Sequence, residues 1–214
     1  LRVGMRSLGM KYDRIYFDSV ISALDDGSAN PFIDFFMKEL LGPFKKSGAK
    51  LAGIAITFQD QIIPAFTFAA LVRKHLPEMK VVLGGQMVTR CYPSMVQDTR
   101  LSAYYDYLVL WDGEKGMRDV HWAELDGQGV DFVNVIPSDG RPYVVNRRMQ
   151  TLTPEEIPSP DFSDLDFNDY FYPEILVPLQ TTRGCYAQCD FCAIPFGSNG
   201  YKVRSVDRII QDMV

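Results

Sequence analysis

Three of the chain's four cysteines lie in one short segment, TTRGCYAQCDFC, which covers residues 181–192. Three residues separate Cys185 from Cys189, and two separate Cys189 from Cys192. A disulfide uses two thiols and a structural zinc site usually uses four ligands, so three crowded thiols fit neither well. Three thiolates can hold a cube of four irons and leave one iron open. Cys185, Cys189 and Cys192 are therefore candidate ligands of a [4Fe–4S] cluster.

Two other interpretations of these cysteines stay open. A zinc site would need a fourth ligand, for which the distant candidates are Cys91, His75 and His121. A disulfide would leave one thiol over and would not suit a reducing compartment. The two histidines also have ordinary explanations, because His75 is expected at a helix end and His121 on a helix face.

The composition indicates a globular, cytoplasmic protein. Of the 214 residues 47% are hydrophobic, which is enough for a buried core. The formal net charge of −5 argues against nucleic acid as a partner. The sequence contains neither an apolar run long enough to cross a bilayer nor a signal peptide, so we expect no membrane partner. Because the chain opens at Leu1 and closes at Val214 within an apparent helix, we expect a fragment of a longer protein.

Strands and helices must position these cysteines, and they alternate three times in the first part of the chain. Two helices are predicted before residue 49. The segment LAGIAITF is predicted to be a central strand that is covered on both faces. Two further strands are predicted, KVVLGG and Tyr107 to Trp111, and a helix is predicted after each of the three strands. This alternation predicts an α/β fold with a doubly wound, Rossmann-like parallel sheet. Ligands of such a sheet bind outside the carboxyl ends of its strands.

The pattern changes after Gly129. The segment DFVNVIPSDGRPYVVN predicts a β-hairpin around a Ser-Asp-Gly turn, and the proline- and acid-rich stretch after it predicts a linker. The segment EILVPLQTTRGC predicts a strand that runs directly into the cysteine loop. A final helix is predicted in SVDRIIQDMV, with Ser205 as its N-cap and Asp207 in its first turn.

The cysteine spacing resembles the CxxxCxxC motif of the radical S-adenosylmethionine (SAM) enzymes. Arg183 and Gly184 match the RGC sequence of one large branch of that family, and Phe191 matches the aromatic residue before its last cysteine. In the family this loop follows the first strand of a (β/α) barrel. The resemblance implies that the amino and carboxylate groups of SAM chelate the open iron. It also implies that an electron from the cluster cleaves SAM to a 5′-deoxyadenosyl radical.

The sheet ahead of the loop resembles the cobalamin-binding domain of cobalamin-dependent radical SAM enzymes. In that domain the strand ends carry a Ser or Thr, a Gly-Gly turn and a Gly-Glu turn. The matching positions here, which the resemblance implies contact cobalamin, are Thr57 with Gln59, Gly84 with Gly85, and Gly113 with Glu114. Both resemblances together cover roughly residues 50–125 and 175–214. The Asp-x-His-x-x-Gly motif, which supplies a histidine ligand to cobalt in some cobalamin proteins, does not occur in this sequence.

The resemblance divides the chain into four parts. Residues 1–48 would be a helical N-terminal segment of the cobalamin domain, and residues 49–146 its Rossmann-like portion with a terminal hairpin. Residues 147–174 would be a linker, and residues 175–214 the first strand, cluster loop and helix of the radical SAM barrel. By the family's pattern, upstream strands precede Leu1 and most of the barrel follows Val214. We therefore expect the chain alone to be inactive, and its unpaired sheet edge to favour dimers.

The function that the resemblance implies is enzymatic. The commonest reaction of this architecture is methylation of an unreactive carbon, although some members catalyse cyclisations or rearrangements. The substrate would be a small molecule or a peptide, and the electron donor a protein such as flavodoxin or ferredoxin. Methylthiotransferases carry a second upstream set of cluster cysteines, and only Cys91 is present here. Two alternatives stay open: a radical SAM enzyme whose sheet no longer binds cobalamin, and a non-enzymatic binding protein with a structural zinc loop.

Overall fold

The structure is a computed structural model that describes residues 2–4, 7–149, 152–163, 165–169, 174–187, 189–194, 198 and 200–213. The chain divides into two units, residues 1–149 and residues 150–214. This boundary lies close to the predicted start of the linker at residue 147. None of the described helices is both long and apolar enough to cross a membrane.

The first unit is built around a four-stranded sheet. Its elements, in chain order, are β1 (Arg2–Gly4), β2 (Ser7–Gly9), α1 (Phe17–Ala23), α2 (Pro31–Glu39), α3 (Leu41–Ser47), β3 (Leu51–Ala55), α4 (Ile62–His75), β4 (Lys80–Gly84), α5 (Gln86–Gln97), β5 (Tyr107–Val109), α6 (Gly113–Glu124), β6 (Phe132–Val133), β7 (Val135–Pro137) and β8 (Tyr143–Val144). The sheet has the order β3, β4, β5, β7. Strands β3, β4 and β5 are parallel, and β7 is antiparallel to β5. The unit is therefore α/β with a mixed, mostly parallel sheet, which is compatible with the predicted Rossmann-like fold.

Apolar side chains cover both faces of this sheet. Val81 and Leu83 of β4 belong to a core that also contains Phe66 of α4. Val82, between them, belongs to a second core together with Val120 of α6. Successive side chains of a strand point to opposite faces, so a strand covered on both faces needs apolar residues at every position. The uninterrupted apolar run of β4 meets that requirement.

Strand β3 differs from the prediction in one respect. It lies at the edge of the described sheet, and Gly53 and Ala55 are exposed while Ala52 is buried. The prediction of a central strand covered on both faces is therefore wrong for the described residues. An edge strand pairs with a neighbour on one side only. Gly53 and Ala55 are two residues apart and lie on one face of the sheet, and that face is open to solvent at β3. This position agrees with the expectation of an unpaired sheet edge.

Capping residues and prolines set the ends of helices α2 and α3. Asn30 caps α2, because its side-chain oxygen accepts a hydrogen bond from the Phe32 amide, and Pro31 occupies the first turn. The single helix predicted after Pro31 is split at Leu40 into α2 and α3. Pro43 explains the split, since it has no amide hydrogen to donate to the carbonyl group four residues earlier.

The predicted hairpin after Gly129 is wrong. The first half of the segment divides into β6 and β7 at Asn134, whose φ is 60°. Strand β7 joins the main sheet beside β5, whereas β6 pairs with β8 in a parallel direction. The buried Asn134 holds this arrangement together: its amide donates to the Val144 carbonyl, and its side-chain nitrogen donates to the Asn146 carbonyl. A pattern of alternating apolar and polar residues does not show that one residue within it has a left-handed backbone conformation.

The second unit contains short elements. They are two 3₁₀ turns (Pro154–Glu156 and Phe167–Asp169), β9 (Thr182–Arg183), β10 (Lys202–Val203) and α7 (Val206–Met213). Ser205 caps α7, as predicted, because its hydroxyl accepts a hydrogen bond from the Arg208 amide at 3.2 Å. The strand predicted through EILVPLQTTRGC forms only at β9, which pairs antiparallel with β10. Residues 175–180 form no strand, and no parallel neighbour that could pair with them occurs among the described residues.

Candidate cofactor sites

The carboxyl ends of the three parallel strands lie level with one another. Ala55 of β3 is paired with Gly84 of β4, and Leu83 of β4 with Leu108 of β5. The six residues predicted to contact cobalamin all follow or end these strands: Thr57, Gln59, Gly84, Gly85, Gly113 and Glu114. The register therefore brings the three separate motifs to one edge of the sheet. This is the edge at which parallel α/β sheets bind ligands.

The turn after β3 exposes two of these residues. Thr57 and Gln59 are both exposed, and the ring of Phe58 between them is 68% exposed. Gln61 shapes the turn, because its side-chain oxygen accepts hydrogen bonds from the amides of Thr57, at 2.8 Å, and Phe58, at 3.0 Å. The sequence argument missed Gln61. A glutamine three residues after an N-cap position is one half of a capping box, and Phe58 has no side-chain oxygen that could supply the other half.

Gly85 has a structural role that the sequence argument did not anticipate. Its φ is 96°, and a Cβ atom there would lie 2.7 Å from the carbonyl oxygen of Ile56. Around it, the Ile56 amide donates to the Gly84 carbonyl, and the Met87 amide donates to the Ile56 carbonyl. The glycine therefore lets α5 start against the end of β3. Close approach of protein backbone, rather than of a ligand, accounts for Gly85.

The turn after β5 is fixed by a side chain of α5. The amide of Trp111, whose φ is 57°, donates a hydrogen bond of 2.9 Å to the hydroxyl of the buried Thr89. Helix α6 then begins at Gly113, where an added Cβ atom would meet nothing within 4 Å. Space is therefore open beside Gly113, at a helix N-terminus that favours negatively charged or hydrogen-bond-accepting groups. Sequence reasoning found Gly113 and missed Thr89.

The cysteine loop lies in the second unit, and its two ends are held together. Arg183 of β9 is paired with Lys202 of β10, directly outside the loop. One residue further in, Gly184 has a φ of 83°, and a Cβ atom on it would overlap the carbonyl oxygen of Gly200. The glycine of the RGC sequence is therefore the point at which the two ends of the loop come into close contact. A side chain at this position would push them apart.

All three predicted cluster ligands are free thiols. Cys189 is exposed, and Cys185 and Cys192 are partly exposed. The amide of Cys192 donates to the Cys189 carbonyl at 3.0 Å, which makes a turn of the segment between them. Phe191 in this turn is 93% exposed, so packing within its own unit does not account for it. The loop thus presents three accessible sulfur atoms on a tied segment.

The donor set fits an iron–sulfur cluster chemically, since three free thiols in one loop are ligands of the right kind. Within the described part of the chain, no three His, Cys, Asp or Glu side chains stand close enough together to hold a metal ion. The case for a cluster therefore rests on the type, spacing and accessibility of the thiols. The distant zinc-ligand candidates lie in the first unit: His75 in the last turn of α4, Cys91 in α5 and His121 in α6.

A buried ion pair anchors the segment that follows the loop. The Arg204 guanidinium pairs with the Asp212 carboxylate of α7, and the two side chains are 3% and 1% exposed. Arg204 also donates to the Ile157 carbonyl at 3.1 Å, and its amide donates to the Thr181 carbonyl at 3.0 Å. Ser159 donates a further hydrogen bond to Asp212. This network fixes α7 to the residue just before β9, and so to the first end of the cysteine loop.

The sequence of this chain was also compared with known proteins. Comparisons with protein-family models, with curated proteins and with solved structures found no match.

Proposed function

We propose that this chain is part of a cobalamin-dependent radical SAM enzyme that methylates an unreactive carbon. The observation that carries the proposal is the cysteine loop. It presents three free thiols at CxxxCxxC spacing between ends that are tied by β9, β10 and Gly184. A structural zinc loop would need a fourth ligand, and the segment 181–192 contains neither a fourth cysteine nor a histidine.

Cys185, Cys189 and Cys192 would hold the [4Fe–4S] cluster. When bound, the cluster supplies an open iron for SAM and the electron for its reductive cleavage. Each thiol must lose its proton to become a ligand, so cluster assembly releases protons from this loop. The close contact of Gly184 with Gly200 keeps the loop ends together while the three sulfur atoms reach their positions. The Arg204–Asp212 pair supports the same end of the loop from outside.

Cobalamin would lie at the carboxyl edge of the sheet in the first unit. The exposed side chains of Thr57 and Gln59 can donate and accept hydrogen bonds there. The open space beside Gly113 allows a large ligand to approach the N-terminus of α6. Gly84 and Gly85 contribute by forming the turn that brings α5 to this edge. The close approach of Gly85 to the Ile56 backbone explains this glycine without a direct contact to the cofactor.

Metal analysis tests the cluster part of the proposal. After anaerobic reconstitution with iron and sulfide, we expect about four irons and four sulfides per chain. Single replacements of Cys185, Cys189 or Cys192 by alanine should lower this content. Cys91→Ala is the matched control, because Cys91 is the one remaining cysteine of the sequence and lies in the other unit. Zinc near one equivalent with no iron would decide for the zinc-loop alternative.

Corrinoid uptake tests the cobalamin part separately. The chain is incubated with hydroxocobalamin, freed of unbound corrinoid by gel filtration, and examined for the visible absorption of a bound corrinoid. We expect retained corrinoid that is reduced by Thr57→Val and Gln59→Ala, because both substitutions remove hydrogen-bonding groups from the proposed edge. A chain that takes up iron but no corrinoid would favour a radical SAM enzyme whose sheet no longer binds cobalamin.

A further inference from the structure

A partly enclosed cavity of about 350 Å³ lies beside the carboxyl end of β3, within the first unit. Helices α4 and α5 and the segment before α1 form its walls. Most of its lining is apolar, and the side chains that form its interior are Ile56, Ile62, Phe66, Met87, Val88 and Met95. The volume falls in the range of small-molecule sites, which are mostly apolar with a few polar groups that orient the ligand.

The spacing of residues along the two helices explains how the cavity forms. Ile62 and Phe66 are four residues apart on α4, and Val88, Cys91 and Met95 follow at intervals of three and four on α5. Such intervals place side chains on one face of a helix. Two apolar helix faces therefore meet over the end of β3 without filling the space between them.

The charged groups that line the cavity are both cations. Arg14 has a partner already, since it forms an ion pair of 2.7 Å with Asp60. Arg90 is exposed to solvent at the rim of the cavity, and it has no hydrogen bond or ion pair among the described residues. Burial raises the pKa of the Cys91 thiol, so this group adds no negative charge to the lining. An apolar cavity with an unpaired guanidinium at its wall suits an apolar ligand that carries an anionic group.

We infer that this cavity is a binding site for a small organic acid with an apolar body. The apolar part would lie between α4 and α5, and its carboxylate or sulfonate would pair with Arg90. The inference requires neither cobalamin nor a cluster, but the cavity adjoins the proposed cobalamin site, because Gln59 lines it as well.

Two fluorescent probes separate recognition of the charge from recognition of the apolar body. The first, 8-anilinonaphthalene-1-sulfonate, carries an anionic group, and the second, N-phenyl-1-naphthylamine, has similar rings without it. We expect Arg90→Gln to weaken binding of the sulfonate about threefold, the effect of losing one ion pair at an exposed position. Binding of the neutral probe should not change. Arg148→Gln, which removes an exposed arginine outside the cavity, should change neither affinity.

Cys91 reports on occupancy of the cavity directly. Alkylation by N-ethylmaleimide, followed by mass spectrometry of the peptide that contains Cys91, should be slowed by the sulfonate probe in the wild-type chain. Protection should be lost when Ser94→Trp fills the cavity mouth, where the replaced side chain is exposed and its loss leaves the core intact. If the sulfonate does not protect Cys91, or if Arg90→Gln leaves its affinity unchanged, the inference is wrong.

Discussion

Gly184 packs so closely against Gly200 that a Cβ atom on Gly184 would overlap the carbonyl oxygen of Gly200 and lie 3.0 Å from its carbonyl carbon. Both residues have a left-handed φ, 83° and 78°, but a Cβ atom on Gly200 would meet nothing within 4 Å. The two glycines therefore share one backbone conformation and differ in the space around them. This difference allows the contact across the cysteine loop to be tested apart from backbone strain.

We expect Gly184→Ala to lower the iron content of the reconstituted chain much more than Gly200→Ala does. Both substitutions cost about 1–2 kcal/mol of left-handed strain, and only Gly184→Ala also pushes the loop ends apart. Iron per chain after anaerobic reconstitution is the measurement. Equal iron content in the two variants would show that the contact between the loop ends does not matter for cluster binding.

A second pair of glycines separates packing from ligand binding in the first unit. Gly85→Ala should lower the free energy of unfolding in urea by at least ~2 kcal/mol, because its Cβ atom would meet the Ile56 backbone and its φ is 96°. Gly113→Ala has open space and should change that free energy by less than ~1 kcal/mol. We expect Gly113→Ala to weaken corrinoid uptake nevertheless. A large loss of stability in Gly113→Ala would contradict the open space at this position.

Stability of the first unit should fall at alkaline pH. Burial, with a smaller effect of Tyr143, raises the pKa of Tyr105 to about 12, from an ordinary value of about 10. Above about pH 10 the unfolded chain gives up this proton while the folded chain keeps it, so stability falls by up to about 1.4 kcal/mol per pH unit until about pH 12. Below about pH 10 the full contribution is present.

Urea unfolding at a series of pH values measures this effect. Tyr105→Phe should show a smaller loss between about pH 10 and pH 12, whereas Tyr16→Phe, at an exposed position, should behave like the wild-type chain. The slope should decrease rather than vanish, because burial also raises the pKa of Tyr104 and Tyr107. A slope that is identical in Tyr105→Phe and the wild-type chain would rule out the assigned role of Tyr105.

Strand β3 is the outermost strand on one side of the sheet, and we expect this unpaired strand to promote self-association. Ala55 is exposed on this strand, which pairs only with β4 in the described sheet. We expect sedimentation to show dimers at high concentration, and Ala55→Lys to shift them towards monomer, since lysine on an edge strand opposes strand pairing. Ala103→Lys introduces the same charge at an exposed position outside the sheet and should have no effect. A wild-type chain that is monomeric at high concentration would refute the prediction.

Local sequence patterns predicted the parallel part of the fold well. Helix α4 ends at His75, before Pro77, and β4 ends at the Gly-Gly turn, both as predicted. These features depend on residues within one element, namely apolar periodicity and backbone breakers. The hairpin prediction failed because Asn134 has a left-handed conformation and β7, which follows it, pairs with β5 in the main sheet. Strand order is a tertiary property that periodicity does not encode.

For the candidate sites, the sequence predicted where the three motifs would lie but not how each residue contributes to the fold. The three motifs that are predicted to contact cobalamin meet at one edge, as the carboxyl ends of parallel strands must. Gly85, however, is required by the backbone of Ile56, and Thr89 and Gln61 shape the edge without having been identified. The contact of Gly184 with Gly200 joins residues that are distant in sequence, so no local pattern could reveal it.

Electron paramagnetic resonance of the anaerobically reconstituted and reduced chain shows whether Cys185, Cys189 and Cys192 together hold a [4Fe–4S] cluster. If they do, the signal of a reduced [4Fe–4S] cluster is present in the wild-type chain and in Cys91→Ala, and it is lost when any one of the three loop cysteines is replaced by alanine. If the wild-type chain gives no cluster signal, or if the signal survives replacement of all three loop cysteines, these residues are not the ligands of a cluster.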